Sequence, residues 1–281
     1  MTLGLQSETE IVVGHSPDAD DAFMFYALTS GKIDTGPYVF RHALHDIETL
    51  NRKALTGEFP ITAVSVASYP DIANRYLMMH AGGSFGDGYG PVVVSRRPMS
   101  LGDLFEKKVA VPGRKTSAFL ALSMAAVGFY PVVVPFDQIM AAVSAGECDA
   151  GLLIHEGQIT YKAEGFHLIA DLGIWWEQTA ELPLPLGVNV VRNDLGAETI
   201  RDMVRLTSES IAYALAHKEE AVEHAMNFSR GLSRAQTDQF VGMYVNDLTV
   251  DMGYLGECAI IRFLQEAAAR RLTTPVRVLF A

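Results

Sequence analysis

A histidine stands where a buried strand is expected to end. Residues 151–161 read GLLIHEGQITY, so an apolar run leads directly into His155, Glu156 and Gly157. An imidazole changes its charge near neutral pH and can accept or donate a proton there. His155 is therefore either a core histidine whose polar atoms are satisfied, or a base that faces a cavity at the end of the strand.

Two hydroxyl side chains follow a glycine-containing loop in PGRKTSAFL (112–120). Thr116 and Ser117 stand at the first turn of the helix that the next residues predict. Free backbone N–H groups and hydroxyls at such a helix start bind carboxylates or phosphates. The alternative is simple helix capping by one of the two hydroxyls. The G-x-x-x-x-G-K-[ST] spacing of a phosphate-binding P-loop is absent from the sequence.

Three acidic residues occupy a predicted strand-to-helix junction in HSPDADDAF (15–23). Asp18, Asp20 and Ser16 are all candidate N-caps, and negative charge complements a helix N-terminus. The functional alternative is that one of the carboxylates, Asp18, Asp20 or Asp21, points into a cleft and recognises hydroxyl groups. Clustered Asp would also suit a hard cation such as Mg²⁺, but no second motif completes the ligand shell.

No metal or cofactor is expected elsewhere in the chain. His42 and His45 have His-x-x-His spacing, but they precede the predicted cap Asp46 and read as strand or loop rather than as one helix face. The glycine-rich stretch 82–90 lacks the strand–loop–helix context of a dinucleotide fingerprint. A single base in a closing cleft is therefore the simplest enzymatic mechanism for this chain.

Two similar strand–helix units position these residues. The segments DIETLNRKALTGEFPITAVSV, from Asp46, and DQIMAAVSAGECDAGLLIH, from Asp137, each read as an Asp cap, about two helical turns, Gly-Glu and a buried strand. When Gly57 is aligned with Gly146, the ends of ITAVS and GLLIH correspond. Strands that alternate with helices predict α/β lobes, and ligands bind at the carboxyl ends of such strands.

Two extended segments framed by Pro and Gly are predicted to cross between the lobes. They are GYGPVVVSRRP (88–98) and LPLPLGVNVVRND (182–194). We therefore predict one lobe from residues 1–95 and 188–281, a middle lobe from residues 96–187, and a ligand cleft between them.

Composition excludes several classes of function. The 281 residues are 49% hydrophobic and carry a net charge of −11, which argues against a nucleic-acid partner or an anionic membrane surface. The two cysteines predict neither a disulfide framework nor a zinc ribbon. No signal peptide and no stretch of about 20 apolar residues is seen, so we expect a cytoplasmic protein that acts on a small molecule.

Several segments taken together resemble the 1,4-dihydroxy-6-naphthoate synthase family of the futalosine route to menaquinone. They are HSPDADDAFMFYAL, DIETLNRKALTGEFPIT, VAVPGRKTSAFLAL, GLLIHEGQITY and LPLPLGVNVVRNDL, and their order and spacing hold over nearly the whole chain. The resemblance implies an α/β, type II periplasmic-binding-protein-like fold. Each lobe would be a mixed, mostly parallel sheet flanked by helices, and two crossover strands would join the lobes.

The resemblance also implies a chemistry and a set of site residues. The activity would be a lyase that converts cyclic dehypoxanthinyl futalosine, a small carboxylated substrate, into 1,4-dihydroxy-6-naphthoate and a small ketose, dihydroxyacetone, without a redox cofactor. The family's proposed base matches His155, and its substrate contacts match Thr62 and the hydroxyl pair after the PGR loop. With the strand and first-loop candidates, the full substrate-binding set is Thr62, Ala63, Val64, Ser65, Thr116, Ser117, Ser16, Asp20 and Asp21.

The first loop departs from the family pattern, which commonly reads SPCPND-T-F. Here Asp18 replaces Cys, Ala19 replaces Pro, Asp20 replaces Asn and Ala22 replaces Thr, and Ala63 stands where a Lys is expected. These changes are expected to alter hydrogen bonding in the first lobe and to lower its affinity for anions. Two alternatives stay open: a solute-binding protein for a small organic anion, and a sister enzyme that acts as a chorismate dehydratase. Pairing into a homodimer is a further expectation.

Overall fold

Two β-sheets and the helices that connect their strands make up the fold. The computed structural model describes residues 8–281. The strands are β1 (Thr9–His15), β2 (Tyr38–Leu44), β3 (Ile61–Ser65), β4 (Tyr76–Met78), β5 (Ser84–Gly86), β6 (Val92–Ser95), β7 (Lys108–Val111), β8 (Tyr130–Val133), β9 (Ala150–Leu153), β10 (His167–Asp171) and β11 (Leu184–Arg192). The helices are α1 (Ala19–Met24), α2 (Tyr26–Thr29), α3 (Ile47–Ala54), α4 (Tyr69–Ile72), α5 (Ser117–Ala125), α6 (Ile139–Ser144), α7 (Gly157–Thr160), α8 (Leu172–Ala180), α9 (Ala197–Ala216), α10 (Lys218–Ala225), α11 (Arg234–Tyr244), α12 (Asp247–Val250) and α13 (Gly253–Ala269).

Each lobe is built on one of the two sheets. The first sheet has the order β2-β1-β3-β11-β4, with β5 paired to β11, and the second has the order β10-β6-β9-β7-β8. The predicted pair of α/β lobes with mixed sheets is confirmed. We predicted mostly parallel sheets, but fewer strand pairs are parallel than we expected. β1 pairs in parallel with β2 and β3, and β7 pairs in parallel with β8 and β9. β11 and β6 pair antiparallel with their neighbours. β6 and β11 are the first strands after the two crossovers, where the chain changes sheets.

The chain crosses between the sheets at two short connections. β5 belongs to the first sheet and β6, from Val92, to the second, so the first crossover lies in residues 87–91. β10 and α8 precede β11, which returns to the first sheet from Leu184. Both sheet changes therefore come a few residues earlier than residues 96 and 188, where the predicted lobe boundaries stand.

The two strand–helix units differ in how their helices begin. Asp46 caps α3, and its Oδ1 accepts a hydrogen bond from the N–H of Thr49 at 3.0 Å. Gly57 and Gly146 both adopt positive φ, +71° and +77°, as their aligned positions in the turn before the strand require. The prediction that Asp137 caps the second helix is wrong, because a 3₁₀ turn over 136–138 precedes α6.

One apolar core runs through both lobes. Val64 and Tyr69 of the first lobe and Val109 and Trp176 of the middle lobe belong to the same cluster of fully buried side chains. The Trp176 ring packs edge-on against Phe263 of α13, with ring centroids 5.3 Å apart. The lobes are therefore joined by continuous packing on the side of the crossovers. Across residues 8–281, no helix combines the length and apolar character needed to traverse a bilayer.

Close backbone contact fixes the first crossover against α8. A Cβ atom on Gly173, at the start of α8, would lie 1.9 Å from the carbonyl oxygen of Tyr89, and one on Gly90 would lie 2.7 Å from the nitrogen of Gly173. Only glycine admits this approach, because the atoms that would be struck are backbone atoms.

Replacing Gly173 with alanine is expected to lower the free energy of unfolding by about 1–3 kcal/mol, because the crossover must move to admit the methyl group. Chemical denaturation measures the change. The matched control is Gly242→Ala in α11, where the added Cβ meets no atom within 4 Å. This control is expected to leave the free energy of unfolding unchanged or to raise it by up to about 1 kcal/mol through helix propensity. Equal effects at both positions would show that the crossover contact is not tight.

Candidate active site

A cavity of about 120 Å³ lies between the two lobes. Its polar lining is Ser16, Asp18, Asp20, Asp21, Ser65, Ser84, Thr116, Ser117, His155, Gln158 and Tyr244. Its apolar lining includes Met24, Ile47, Ala63, Val64, Pro91, Ala118, Ile154, Leu186, Val188 and Phe240. Both lobes contribute, and the carboxyl ends of β1, β3 and β9 lead into it, as expected for open α/β sheets.

His155 lies just beyond the end of β9 and lines this cavity. Its backbone has φ of +53°, a left-handed conformation that is uncommon outside glycine. The N–H of Gln158 donates to the carbonyl oxygen of His155 at 3.1 Å, which turns the chain into α7. The side chain, 17% exposed, therefore faces the space between the lobes and not a sealed apolar core.

Charged groups from both lobes surround the imidazole. Nδ1 of His155 lies 3.2 Å from Oδ2 of Asp18, and Nη2 of Arg230 lies 2.8 Å from the other carboxylate oxygen, Oδ1. Arg230 also lies 3.8 Å from Glu156 and stacks over the ring of Phe136 at 4.3 Å. Asp18 and Arg230 belong to the first lobe, and the other three residues belong to the middle lobe. Of these five side chains, Asp18 and His155 line the cavity, and the other three contact one or both of them or one another.

Burial controls the charge states in this network. It raises the pKa of Asp18 and of Asp20 to about 6, and Arg230 opposes the rise at Asp18. Burial lowers the pKa of His155 below its usual range, while the carboxylates of Asp20 and Glu156 act in the opposite direction. Near neutral pH these shifts give ionised Asp18 and Asp20 beside an uncharged imidazole, which is the form that can accept a proton.

The first loop brings its predicted residues to the cavity. Ser16, Asp20 and Asp21 all line it. The N–H of Ser16 donates to Oδ2 of Asp21 at 2.7 Å, so Asp21 holds the loop in shape, and burial raises the pKa of Asp21 well above its usual value. Oδ1 of Asp20 is buried and has no hydrogen-bond partner among residues 8–281. Asp20 is therefore the carboxylate that is free to meet a ligand.

At the start of α5 the two predicted hydroxyls are already engaged within the protein. Oγ1 of Thr116 accepts from the N–H of Phe119 at 3.1 Å and donates to the carbonyl oxygen of Gly113 at 2.9 Å. Oγ of Ser117 donates to the carbonyl oxygen of Leu186 at 2.6 Å. The capping alternative holds for Thr116. What remains for an anion is the backbone N–H groups of the first helical turn.

Strand β3 contributes its last three residues but not its Thr. Ala63, Val64 and Ser65 line the cavity, and the Ser65 hydroxyl accepts from Nδ2 of Asn51 at 3.1 Å, which leaves its own O–H free to donate. Thr62 is fully buried outside the cavity, and its hydroxyl donates to the carbonyl oxygen of Ala63. The structure therefore does not bring Thr62 to the ligand space.

The Thr62 side chain fits at this position because the residue beside it, Gly14, has no side chain. Gly14 is its partner in the neighbouring strand β1, and a Cβ on Gly14 would lie 2.9 Å from the Thr62 hydroxyl. The pairing of these two residues, which lie far apart in the sequence, could not be read from the segment 61–65 alone.

Metal ligation has one candidate group among residues 8–281. Asp18, Asp20 and His155 offer ligand atoms that lie within 4.8 Å of one another. Because Asp18 already pairs with Arg230 and with His155, we interpret the group as a charge network. The other histidine spacing considered, His42 with His45, was not predicted to chelate a metal, and Nδ1 of His42 lies 3.0 Å from Nε2 of His15.

Three residues of the site were not identified from sequence. With its amide oriented so that both atoms are satisfied, Gln158 donates to the Gly90 carbonyl at 2.6 Å, accepts from the His155 N–H at 3.0 Å and bonds the Tyr244 hydroxyl. Gln158 lies three residues after His155, so helical spacing could have indicated it. Tyr244 and Arg230 had no signal, because only the tertiary fold brings the C-terminal helices over the cavity.

Comparison with known proteins identifies relatives of the whole chain. Residues 11–269 match the model of the menaquinone biosynthesis family. The chain is similar to the 1,4-dihydroxy-6-naphthoate synthase of Thermus thermophilus, at 44% identity over 94% of this chain and 96% of the relative. It is also similar to the enzyme of the same name from Streptomyces coelicolor, at 35% identity over 95% of each chain.

Solved structures bear out the fold. A protein from Archaeoglobus fulgidus superposes with a TM-score of 0.90 at 48% identity, over 94% of this chain and 98% of that one. The alkanesulfonate-binding protein of Xanthomonas axonopodis, solved with MOPS bound, gives a TM-score of 0.71 at 12% identity, over 97% and 96%. The predicted periplasmic-binding-protein-like fold is thereby confirmed.

The unpartnered Asp20 is expected to reduce stability at neutral pH. Its pKa is raised in the folded chain from 3.8 to about 6, so the folded state retains a proton that the unfolded state releases between these values. Stability therefore falls as the pH rises through this window, and the full cost is present above it. Asp20→Asn should raise the free energy of unfolding by on the order of 1 kcal/mol at pH 8, and the gain should shrink towards zero as the pH falls to 4.

Urea denaturation at the two pH values measures the effect. Asp34→Asn, in an exposed turn where the side chain accepts from the N–H of Gly36 at 2.9 Å, is the matched change at the surface. It should stay within about 0.5 kcal/mol of wild type at both pH values. A loss of stability in Asp20→Asn at pH 8 would mean that the charged carboxylate is well accommodated.

Proposed function

The chain belongs to the menaquinone biosynthesis family, and we propose that it acts as a 1,4-dihydroxy-6-naphthoate synthase. The substrate that we propose is cyclic dehypoxanthinyl futalosine, which would be split into 1,4-dihydroxy-6-naphthoate and dihydroxyacetone. The similarity to enzymes of that name over nearly the whole chain supports the activity. The position of His155 in the cavity between the lobes is the observation on which the mechanism rests.

His155 is the proposed base. Since burial lowers its pKa, the imidazole is unprotonated near neutral pH and can take a proton from the substrate. Loss of that proton allows the carbon–carbon bond to the ribose remnant to break while the second ring becomes aromatic. The imidazolium then returns its proton to the departing ketose, so the reaction needs no oxidant or reductant. The protein's work is to position the substrate and to move this proton.

The N-terminus of α5 is the proposed site for the substrate carboxylate. Ser117 and Ala118 line the cavity, and their backbone N–H groups make no hydrogen bond within residues 8–281. These donors and the positive end of the nine-residue helix favour an anion. Ser65 and Asp20 would then meet hydroxyl groups elsewhere on the substrate, the first as a donor and the second as an acceptor.

His155→Asn tests the base while it respects the left-handed backbone, which asparagine tolerates better than most residues. We expect kcat to fall about 10²–10⁴-fold, because no proton acceptor remains at that point. Formation of the absorbing naphthoate is the assay, and substrate affinity measured by calorimetry should change little. His167→Asn, at an exposed position of β10, is the control and should retain activity. Wild-type turnover in His155→Asn would exclude the imidazole as base, whereas binding without turnover in the wild type would favour a solute-binding protein.

Ser117→Pro tests the carboxylate site. Proline suits the first residue of a helix, and Thr116 before it is extended, with ψ of 146°, so the fold should tolerate the change. It removes the backbone N–H. We expect KM to rise about tenfold, because the charged substrate carboxylate loses roughly one hydrogen bond. Ser117→Ala removes only the hydroxyl and should raise KM less. Steady-state kinetics compares the two, and an equal rise in KM would place the carboxylate elsewhere.

A further inference from the structure

The imidazole of His155 has one carboxylate within ion-pair distance among residues 8–281, and it comes from the opposite lobe. Oδ2 of Asp18 lies 3.2 Å from Nδ1 of His155, while the carboxylates of Asp20 and Glu156 lie beyond the 4.0 Å limit of an ion pair with the ring. Asp18 is 1% exposed, so this contact is made without competing water. The ring is also fixed by the edge of Phe136, with centroids 4.8 Å apart.

Asp18 is itself fixed in orientation. Its second oxygen, Oδ1, lies 2.8 Å from Nη2 of Arg230, and Arg230 also donates to the carbonyl oxygen of Pro17 at 3.3 Å. The guanidinium stacks on Phe136 and cannot turn away without losing that contact. One carboxylate oxygen therefore lies at ion-pair distance from Arg230, and the other lies at ion-pair distance from the imidazole.

From this geometry we propose that Asp18 is a positioning residue that orients His155 and fixes its tautomer across the cleft. Nδ1 carries the proton and donates it in a hydrogen bond to Asp18, which leaves Nε2 as the basic atom that faces the substrate. The carboxylate also stabilises the imidazolium once it forms. This role rests on the proposed function of His155 as base. It also gives a function to Asp18, which stands where the family commonly has Cys.

The assignment couples catalysis to closure of the lobes. Asp18 belongs to the first lobe and His155 to the middle lobe, so their 3.2 Å contact exists only when the two lobes meet. An open cleft would leave the imidazole free to rotate and to exchange tautomers. Closure around a substrate would then create the oriented base at the same time as it excludes water.

Asp18→Asn is the decisive variant. Arg230 only donates hydrogen bonds, so the amide oxygen will face Arg230 and the amide NH₂ will face Nδ1 of His155. This arrangement favours the tautomer with the proton on Nε2, which cannot act as a base towards the substrate. We expect kcat to fall on the order of 10²–10³-fold with KM within about threefold.

A nuclear magnetic resonance readout tests the tautomer without any substrate. In protein with ¹⁵N-labelled histidine, two-bond proton–nitrogen correlations should show His155 protonated on Nδ1 in the wild type and on Nε2 in Asp18→Asn. The signal of His155 is the one missing from His155→Asn. The acid limb of the kcat–pH profile should move to lower pH in Asp18→Asn, because a carboxylate that favours the imidazolium is lost. The charged groups around the ring are Asp18, Asp20, Glu156, Arg230 and Asp46.

Two further variants serve as a control and as a substitute for Asp18→Asn. Glu209→Gln removes one negative charge from the exposed face of α9, where it pairs with Arg205, and it should leave both kcat and the tautomer unchanged. If Asp18→Asn does not fold, Arg230→Gln releases the carboxylate instead and should lower kcat about tenfold while the population of the Nδ1–H tautomer falls.

The outcomes separate this inference from the proposed function. If His155→Asn is inactive but Asp18→Asn keeps wild-type kcat, pH profile and tautomer, Asp18 has no positioning role. If the tautomer switches as expected but no protein forms naphthoate, the orientation of the ring is established and the synthase assignment is wrong.

Discussion

A buried carboxylate held from two sides is the constraint around which this site is built. Asp18 is almost fully removed from water, which raises the free-energy cost of its charge, and each of its oxygens lies at ion-pair distance from a basic side chain. One partner, Arg230, comes from the C-terminal part of the first lobe, and the other, His155, comes from the middle lobe. The carboxylate can be satisfied in this way only when the lobes are closed. His155 and Arg230 both have a left-handed backbone, with φ of +53° and +49°.

Contacts between the lobes on the far side of the cavity stabilise the closed arrangement. The apolar core is continuous between the lobes, and the loop before α5 is held against the first lobe through the backbone of Lys115, whose N–H donates to Glu48 and whose carbonyl accepts from Asn51 and Ser68. The start of α5 is thus placed relative to β3 before any ligand arrives. On the opposite side, the lobes meet through Asp18 with His155, Arg230 with Glu156, and Tyr244 with Gln158.

Local sequence patterns predicted the lobes, the crossovers and most of the polar residues that line the cavity. Strand ends in α/β units converge by geometry, so the residues that follow β1, β3 and β9 could be placed together without knowledge of the tertiary structure. Thr62 was misplaced towards the ligand because its burial depends on Gly14, a partner in another strand. Arg230 could not be predicted for a related reason: it follows two helices of the C-terminal region, and nothing within that segment indicates a contact with Asp18. Pairings between distant segments are the information that a local reading lacks.

The apolar core is continuous between the two lobes, and this continuity limits how lobes from different proteins can be combined. Val64 and Tyr69 belong to the same buried cluster as Val109 and Trp176, so the shape of each half is specified partly by the other. A chimaera that takes its middle lobe from a distant periplasmic relative would inherit matching strands but mismatched interior surfaces. Exchange of whole lobes is therefore a poor route to new ligand preference in this family, and substitution at the rim of the cleft is the better one.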